Sequence, residues 1–252
     1  MVKLALTDFG GDGPAPRLVL LHGLLGTARN LAVVARAFTP TRHVVGFDMR
    51  NHGASDWAET NSYEDMAADV ADALSHLDGP YDLLGHSMGG KTAMYGVLSG
   101  LFAPRKTVIG DIAPVTYDHT QALTIEAMLA LDLSDFDRRG TLATRLSNDL
   151  DDTMVGPFLA QSADLGETPR WRHNLPVLLS EMDKIIGFPP VSARYDGPVL
   201  VVAGGASHYV EAGKVHQFFP NADVCTIDGA GHWVHAEAPK AFNTLVAEFL
   251  AG

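Results

Sequence analysis

Along this chain the pattern of apolar and polar positions alternates between two rhythms. Short unbroken apolar runs, "RLVLLHG" (17–23), "HVVGFDMR" (43–50), "YDLLGH" (81–86), "KTVIGD" (106–111), "GPVLVVAGG" (197–205) and "ADVCTIDG" (222–229), read as strands buried on both faces. Between them, "NLAVVARAF" (30–38), "YEDMAADVADALSHL" (63–77), "GGKTAMYGVLSG" (89–100) and residues 237–250 space their apolar positions as helices do. Strand–helix alternation of this kind predicts an α/β fold, a mostly parallel sheet with helices on both faces.

Residues 115–190 break the alternation. Spacing there predicts helices at 121–133, 141–150, 155–165 and, with irregular ends, 169–188, and no clear strand. The expectation is a core built from 1–114 and 191–252, with a helical cap, 115–190, inserted over the carboxyl edge of the sheet. Open α/β sheets hold their ligands at that edge. Met128, Leu129, Phe158, Trp171 and Leu175 can line a pocket there or simply pack the helices. Arg172 can hold a substrate carboxylate or cap a helix.

The candidate chemistry starts at Gly85-His86-Ser87-Met88-Gly89, a G-x-S-x-G pattern between a predicted strand and a predicted helix. A strand-to-helix turn this tight leaves no room for side chains at the flanking positions, so glycine stands at both. The serine hydroxyl then projects at a helix N-terminus, which favours developing negative charge. A plain helix cap is the other reading of Ser87.

A serine nucleophile needs a base, and the sequence holds 11 histidines. His232, in "DGAGHWVH", follows the last predicted strand on the same sheet edge as Ser87 and is the preferred base. His235 is the weaker candidate. His86 is expected to point to the other side of the chain, His22 to order a loop, and His52 to be structural.

The orienting carboxylate has two candidates. Asp111 ends the strand beside that of the serine and is preferred, because a buried Asp needs a partner; Glu211 is the alternative. The oxyanion donors are expected to be the backbone N–H groups of Leu24, in "HGLLGT", and Met88. His86, Trp171, Arg172 and Tyr209 are carried forward as pocket candidates.

Charge and composition narrow the partners. Of 252 residues, 18 are Lys or Arg and 30 Asp or Glu, a formal net charge of -12, which argues against a nucleic-acid partner. The one cysteine, Cys225, is expected to fill core, and with no second cysteine a reducing compartment is the simplest expectation. No apolar run reaches the ~20 residues of a membrane span, and "MVKLALTDFG" lacks a signal-peptide core. A cytoplasmic protein acting on a small molecule is therefore expected, with no membrane partner and no signal of oligomeric state. His232 and His235 lie three apart without a metal-ligand pattern, and Gly10-Gly11 lacks the context of a phosphate loop. Lys91 is expected at the surface.

Taken together, "HGLLGTARNL", "DMRNHGASD", "LLGHSMGGKTAM", "DIAPV", "WRHNLPVL" and "GAGHWVHAEAP" resemble the α/β-hydrolase superfamily. More narrowly they resemble YbfF-type bacterial esterases and the abhydrolase domain-containing protein 11 group. The resemblance spans nearly the whole chain. It implies the α/β-hydrolase fold with a cap and hydrolysis of carboxylic esters, or thioesters, with no cofactor. It also favours Asp111, since these relatives pair "DIAP" with a serine where the acid would otherwise stand, here within Gly204–Val210. A lyase like the menaquinone-pathway synthase and a non-catalytic ligand-binding module are the competing expectations.

Overall fold

Apolar residues alternate sides along each central strand. In β2 (Ala15–Leu21), Leu18 and Leu20 face one core layer while Val19 and Leu21 face the other. Such strands need cover on both faces, which places them inside a layered α/β sheet. The computed structural model describes residues 1–252 and shows that sheet. Its first half contains β1 (Leu6–Gly10), β2, α1 (Ala32–Phe38), β3 (Arg42–Phe47), α2 (Tyr63–Ser75), β4 (Tyr81–His86), α3 (Met88–Leu98) and β5 (Thr107–Gly110). After a long helical interval come β8 (Val199–Gly204), α9 (Ala212–Phe218), β9 (Asp223–Ile227), α10 (Val234–Glu237) and α11 (Pro239–Ala251).

The seven strands run in the order β1-β3-β2-β4-β5-β8-β9, all parallel except β1. The antiparallel edge strand β1 is absent from the sequence reading. Its residues, LTDFG, have no apolar run, and none of them is fully buried. From β2 the chain steps to β3 on one side and then to β4 on the other. The crevice at the carboxyl ends of β2 and β4 is therefore the topological switch point, where open α/β sheets hold ligands.

The interval between β5 and β8 carries α4 (Ala122–Leu129), α5 (Arg139–Leu150), α6 (Val155–Ala160), α7 (Leu175–Ser180) and α8 (Met182–Ile186). It also carries a two-residue antiparallel pair, β6 (Ala163–Asp164) and β7 (Arg170–Trp171), where no strand is expected. The helix predicted over 169–188 is thus a strand and two short helices. Pro176 can occupy only the first turn of a helix, so α7 starts there, and Gly187 with Pro189 closes α8.

Lys91 corrects another expectation. It is buried on α3, where its Nζ donates to the carbonyls of Ile186 (2.8 Å) and Gly187 (2.6 Å) at the end of α8. An ammonium on a long stem caps a helix C-terminus from across a core, which the local pattern "GGKTAM" does not reveal. Cys225 is half-buried on β9. No helix is long and apolar enough to cross a membrane.

Candidate active site

Five loops leave the carboxyl ends of parallel strands and meet. They supply His22–Leu25 after β2, Ser87 after β4, Asp111 after β5, Ser207 after β8 and His232 after β9. Ser87 has φ 53° and ψ -119°, a left-handed conformation costly for any residue but glycine. The turn is over-determined. A Cβ on Gly85 would strike the Gly89 backbone, and one on Gly89 would strike the carbonyls of Leu21 and His22. The Ser87 N–H donates to the Gly110 carbonyl at 3.0 Å, tying the turn to β5.

The Ser87 hydroxyl lies 3.0 Å from His232 Nε2, and His232 Nδ1 lies 2.8 Å from Asp111 Oδ2. The carboxylate fixes the tautomer: Nδ1–H donates to Asp111, leaving Nε2 to accept from the serine. Asp111 is fully buried, and three donors converge on it. Its Oδ1 accepts from the Gly204 N–H (2.8 Å), and its Oδ2 accepts from the Ser207 hydroxyl (2.5 Å) and His232. A buried carboxylate needs such partners. Glu211, the alternative acid, is exposed at the start of α9 and makes no hydrogen bond with His232.

The loop carrying His232 is held at three points. Glu237 accepts from the N–H groups of Gly231 (2.7 Å) and Trp233 (3.1 Å), and His86 Nε2 donates to the His232 carbonyl (2.9 Å). Tyr209 stacks on the His232 ring at 4.0 Å between centroids. His86 does not point away from the site as expected. It lies against His232 (4.9 Å) and His235 (4.5 Å), and burial holds its basicity well below that of a free imidazole. Burial lowers His235 to about 4, and its Nδ1 has no partner.

Neither the Leu24 nor the Met88 N–H donates to any protein group. Both residues line the same cavity as Ser87, and Gly23 packs so close that a Cβ there would lie 3.2 Å from the Ser87 Cβ. The cavity holds about 870 Å³. Its walls include Val155, Phe158 and Leu159 of α6 and Ile185 and Ile186 of α8, together with His86, Tyr209 and Lys91. Burial pulls the Lys91 amine down to about 7.

Two pocket candidates fall outside the lining. Trp171 donates from Nε1 to the Met128 carbonyl (3.1 Å), and Arg172 pairs with Asp164 (3.6 Å). Trp171 ends β7, and Arg172 directly follows it, where a helix is expected from the sequence. Of the other apolar candidates, Phe158 lines the cavity, Met128 and Leu175 are buried core, and Leu129 is exposed. Sequence reasoning does not reach Glu237 as a partner of the His232 loop; only the closed turn brings it back six residues to Gly231.

The chain belongs to the alpha/beta hydrolase family, whose sequence description matches residues 18–245. The sn-1-specific diacylglycerol lipase ABHD11 of Mus musculus is 36% identical over 264 residues, covering 99% of this chain and 86% of that protein. Esterase YbfF of Escherichia coli (strain K12) is 38% identical over 241 residues, covering 92% of each. A solved structure described as a marine microorganism esterase aligns with a TM-score of 0.91 at 32% identity, covering 99% of this chain and 100% of that one.

Proposed function

We propose that this protein is a serine hydrolase of carboxylic esters, working through an acyl-enzyme on a small-molecule substrate. The observation that carries the reading is the hydrogen-bonded chain from Ser87 through His232 to Asp111, opening on an apolar-walled cavity. Relatives named esterase or lipase support it.

In this mechanism His232 takes the hydroxyl proton as Ser87 Oγ attacks the ester carbonyl. The imidazolium is stabilised by Asp111, and the carbonyl oxygen, now an oxyanion, accepts from the free N–H groups of Leu24 and Met88. Collapse expels the alcohol, which receives the proton from His232. Water then attacks the acyl-serine with His232 again as base, releasing the acid. A thioester would follow the same steps with a thiol leaving. Residues 115–190 act as a cap over the core formed by 1–114 and 191–252, and supply the apolar walls against which an acyl or alcohol chain packs.

A fluorophosphonate phosphonylates a serine activated in this way. Labelling is expected to add one phosphonyl mass to the peptide containing Ser87 and to disappear in Ser87→Ala. Label on another residue, or none, contradicts the reading.

A further inference from the structure

Three buried imidazoles, His22, His52 and His173, form a file beneath the loop that carries Leu24, and the proposed mechanism gives none of them a step. Their ring centroids stand 5.2 Å (His22–His52) and 5.0 Å (His52–His173) apart. Both nitrogens of every ring are used. His22 Nδ1 donates to the Gly23 carbonyl (2.7 Å) and its Nε2 accepts from the Met49 N–H (2.8 Å). His52 Nδ1 donates to the Arg50 carbonyl (2.7 Å) and its Nε2 accepts from the Leu25 N–H (3.2 Å). His173 Nε2 donates to the Leu25 carbonyl (3.0 Å) and its Nδ1 accepts from the Gly53 N–H (3.3 Å). One donor and one acceptor per ring makes all three neutral and fixes each tautomer.

The file therefore grips both backbone polar groups of a single residue, Leu25. That residue is in the left-handed region (φ 58°), which a leucine does not adopt unless its surroundings hold it there. Leu25 immediately follows Leu24, whose free N–H is the donor proposed for the oxyanion. The two clamping rings come from different parts of the chain. His52 is on the loop after β3, and His173 follows β7 within the helical interval. Asn174 fastens that second part in place, its N–H donating to the Asn51 carbonyl at 2.9 Å.

We infer that His52 and His173 are positioning residues that clamp the Leu25 peptide groups and so aim the Leu24 N–H at the oxyanion, coupling the cap to the oxyanion hole. The inference rests on the serine-hydrolase reading above. An oxyanion donor acts in the transition state, so a loosened one lowers kcat with little change in KM.

The two ends of each ring can be separated. Gln places a polar atom where Nε2 stands and keeps the bond to Leu25; Asn places one where Nδ1 stands and keeps only the bond to Arg50 or Gly53. The experiment is steady-state hydrolysis of a p-nitrophenyl ester by wild type, Ser87→Ala, His52→Gln, His52→Asn, His173→Gln and His173→Asn, with thermal unfolding of each. The Asn variants are expected to lose at least about tenfold in kcat with KM within about twofold, because part of an oxyanion donor's contribution is lost. The Gln variants are expected to stay within about threefold of wild type in kcat, although Tm falls in both kinds.

Equal kcat losses in Gln and Asn variants, or losses confined to KM, overturn the inference and leave the rings as core filling. If an Asn variant does not fold, the matching Gln variant carries the test: kcat within about threefold supports the clamp, and a loss beyond about tenfold overturns it. Wild-type turnover that Ser87→Ala does not reduce overturns the serine-hydrolase reading and this inference with it.

Discussion

Five residues other than glycine adopt positive φ: Leu25, Asn51, Ser87, Asp111 and Asp151. Asp151 ends α5, where a left-handed cap is ordinary. Of the other four, Leu25 and Ser87 line the cavity, Asp111 bonds the His232 ring and Asn51 accepts from the Asn174 N–H. Strain collected at one place and compensated by its neighbours marks a site whose geometry matters more than its local stability. Asp111 shows what the strain accomplishes. Its left-handed backbone follows β5 directly, yet its carboxylate receives Gly204, Ser207 and His232 at once. Asp111→Asn is expected to lower kcat by about 10²–10⁴-fold, because with the amide oxygen accepting from the Gly204 N–H its NH2 faces His232 Nδ1 as a donor and sets the wrong tautomer. Glu211→Gln, at an exposed position, is expected to leave kcat within about twofold. Steady-state kinetics of the two variants ranks them, and the reverse order would move the acid to Glu211. Ser87 and His232 are legible in the sequence because glycines mark their turns and strand ends fix their edge. The clamp of His52 and His173 is not, since it is made across 121 residues of chain by rings in ordinary loop sequence.

At the scale of elements, the six parallel strands follow from their apolar runs, and α2, α3 and α11 from their spacing. The reading weakens where elements are short. The edge strand β1, the pair β6–β7 and the split of α7 from α8 are each fixed by tertiary partners rather than by any periodicity of their own. Lys91 joins the two classes. Its charge sits on a helix that is otherwise buried nearly throughout, so a surface position is the natural expectation, and only the free carbonyls ending α8 explain its place. Lys91→Met keeps the apolar stem and removes both donors. It is expected to destabilise the fold by about 1–3 kcal/mol, as two part-buried carbonyls lose their partner. Urea unfolding measures this, and an unchanged midpoint would mean the carbonyls find other donors at no cost.

At the scale of the whole molecule, five histidines are buried in the neutral state around the site. Burial lowers His22 and His52 to about 3 and His235 to about 4, and holds His86 and His173 well below the ordinary value. In the unfolded chain these rings take up protons near pH 6.5. Between the folded and unfolded values the unfolded state binds more protons, so stability is full above about pH 6.5 and declines as pH falls toward about 3–4. At pH 5 each of the three with a stated value contributes a loss on the order of 1–2 kcal/mol. Urea midpoints at pH 8 and pH 5 are expected to show a marked fall at the lower pH; equal midpoints would mean these rings are no harder to protonate in the fold than outside it. The same burial keeps the clamp neutral across the range in which an ester hydrolase with His232 as base would operate.

The measurement that bears most directly on the central claim is turnover of a p-nitrophenyl ester series, acetate to palmitate, by wild type and Ser87→Ala side by side. The account predicts Ser87-dependent turnover, with kcat reduced at least about 10³-fold in the variant while its Tm stays near that of wild type. The chain-length optimum then reports how much of the cavity of about 870 Å³ an acyl group fills. Equal turnover by both proteins would make Ser87 a helix cap. A wild type inactive on the whole series would contradict the esterase claim and bring the lyase and ligand-binding readings forward.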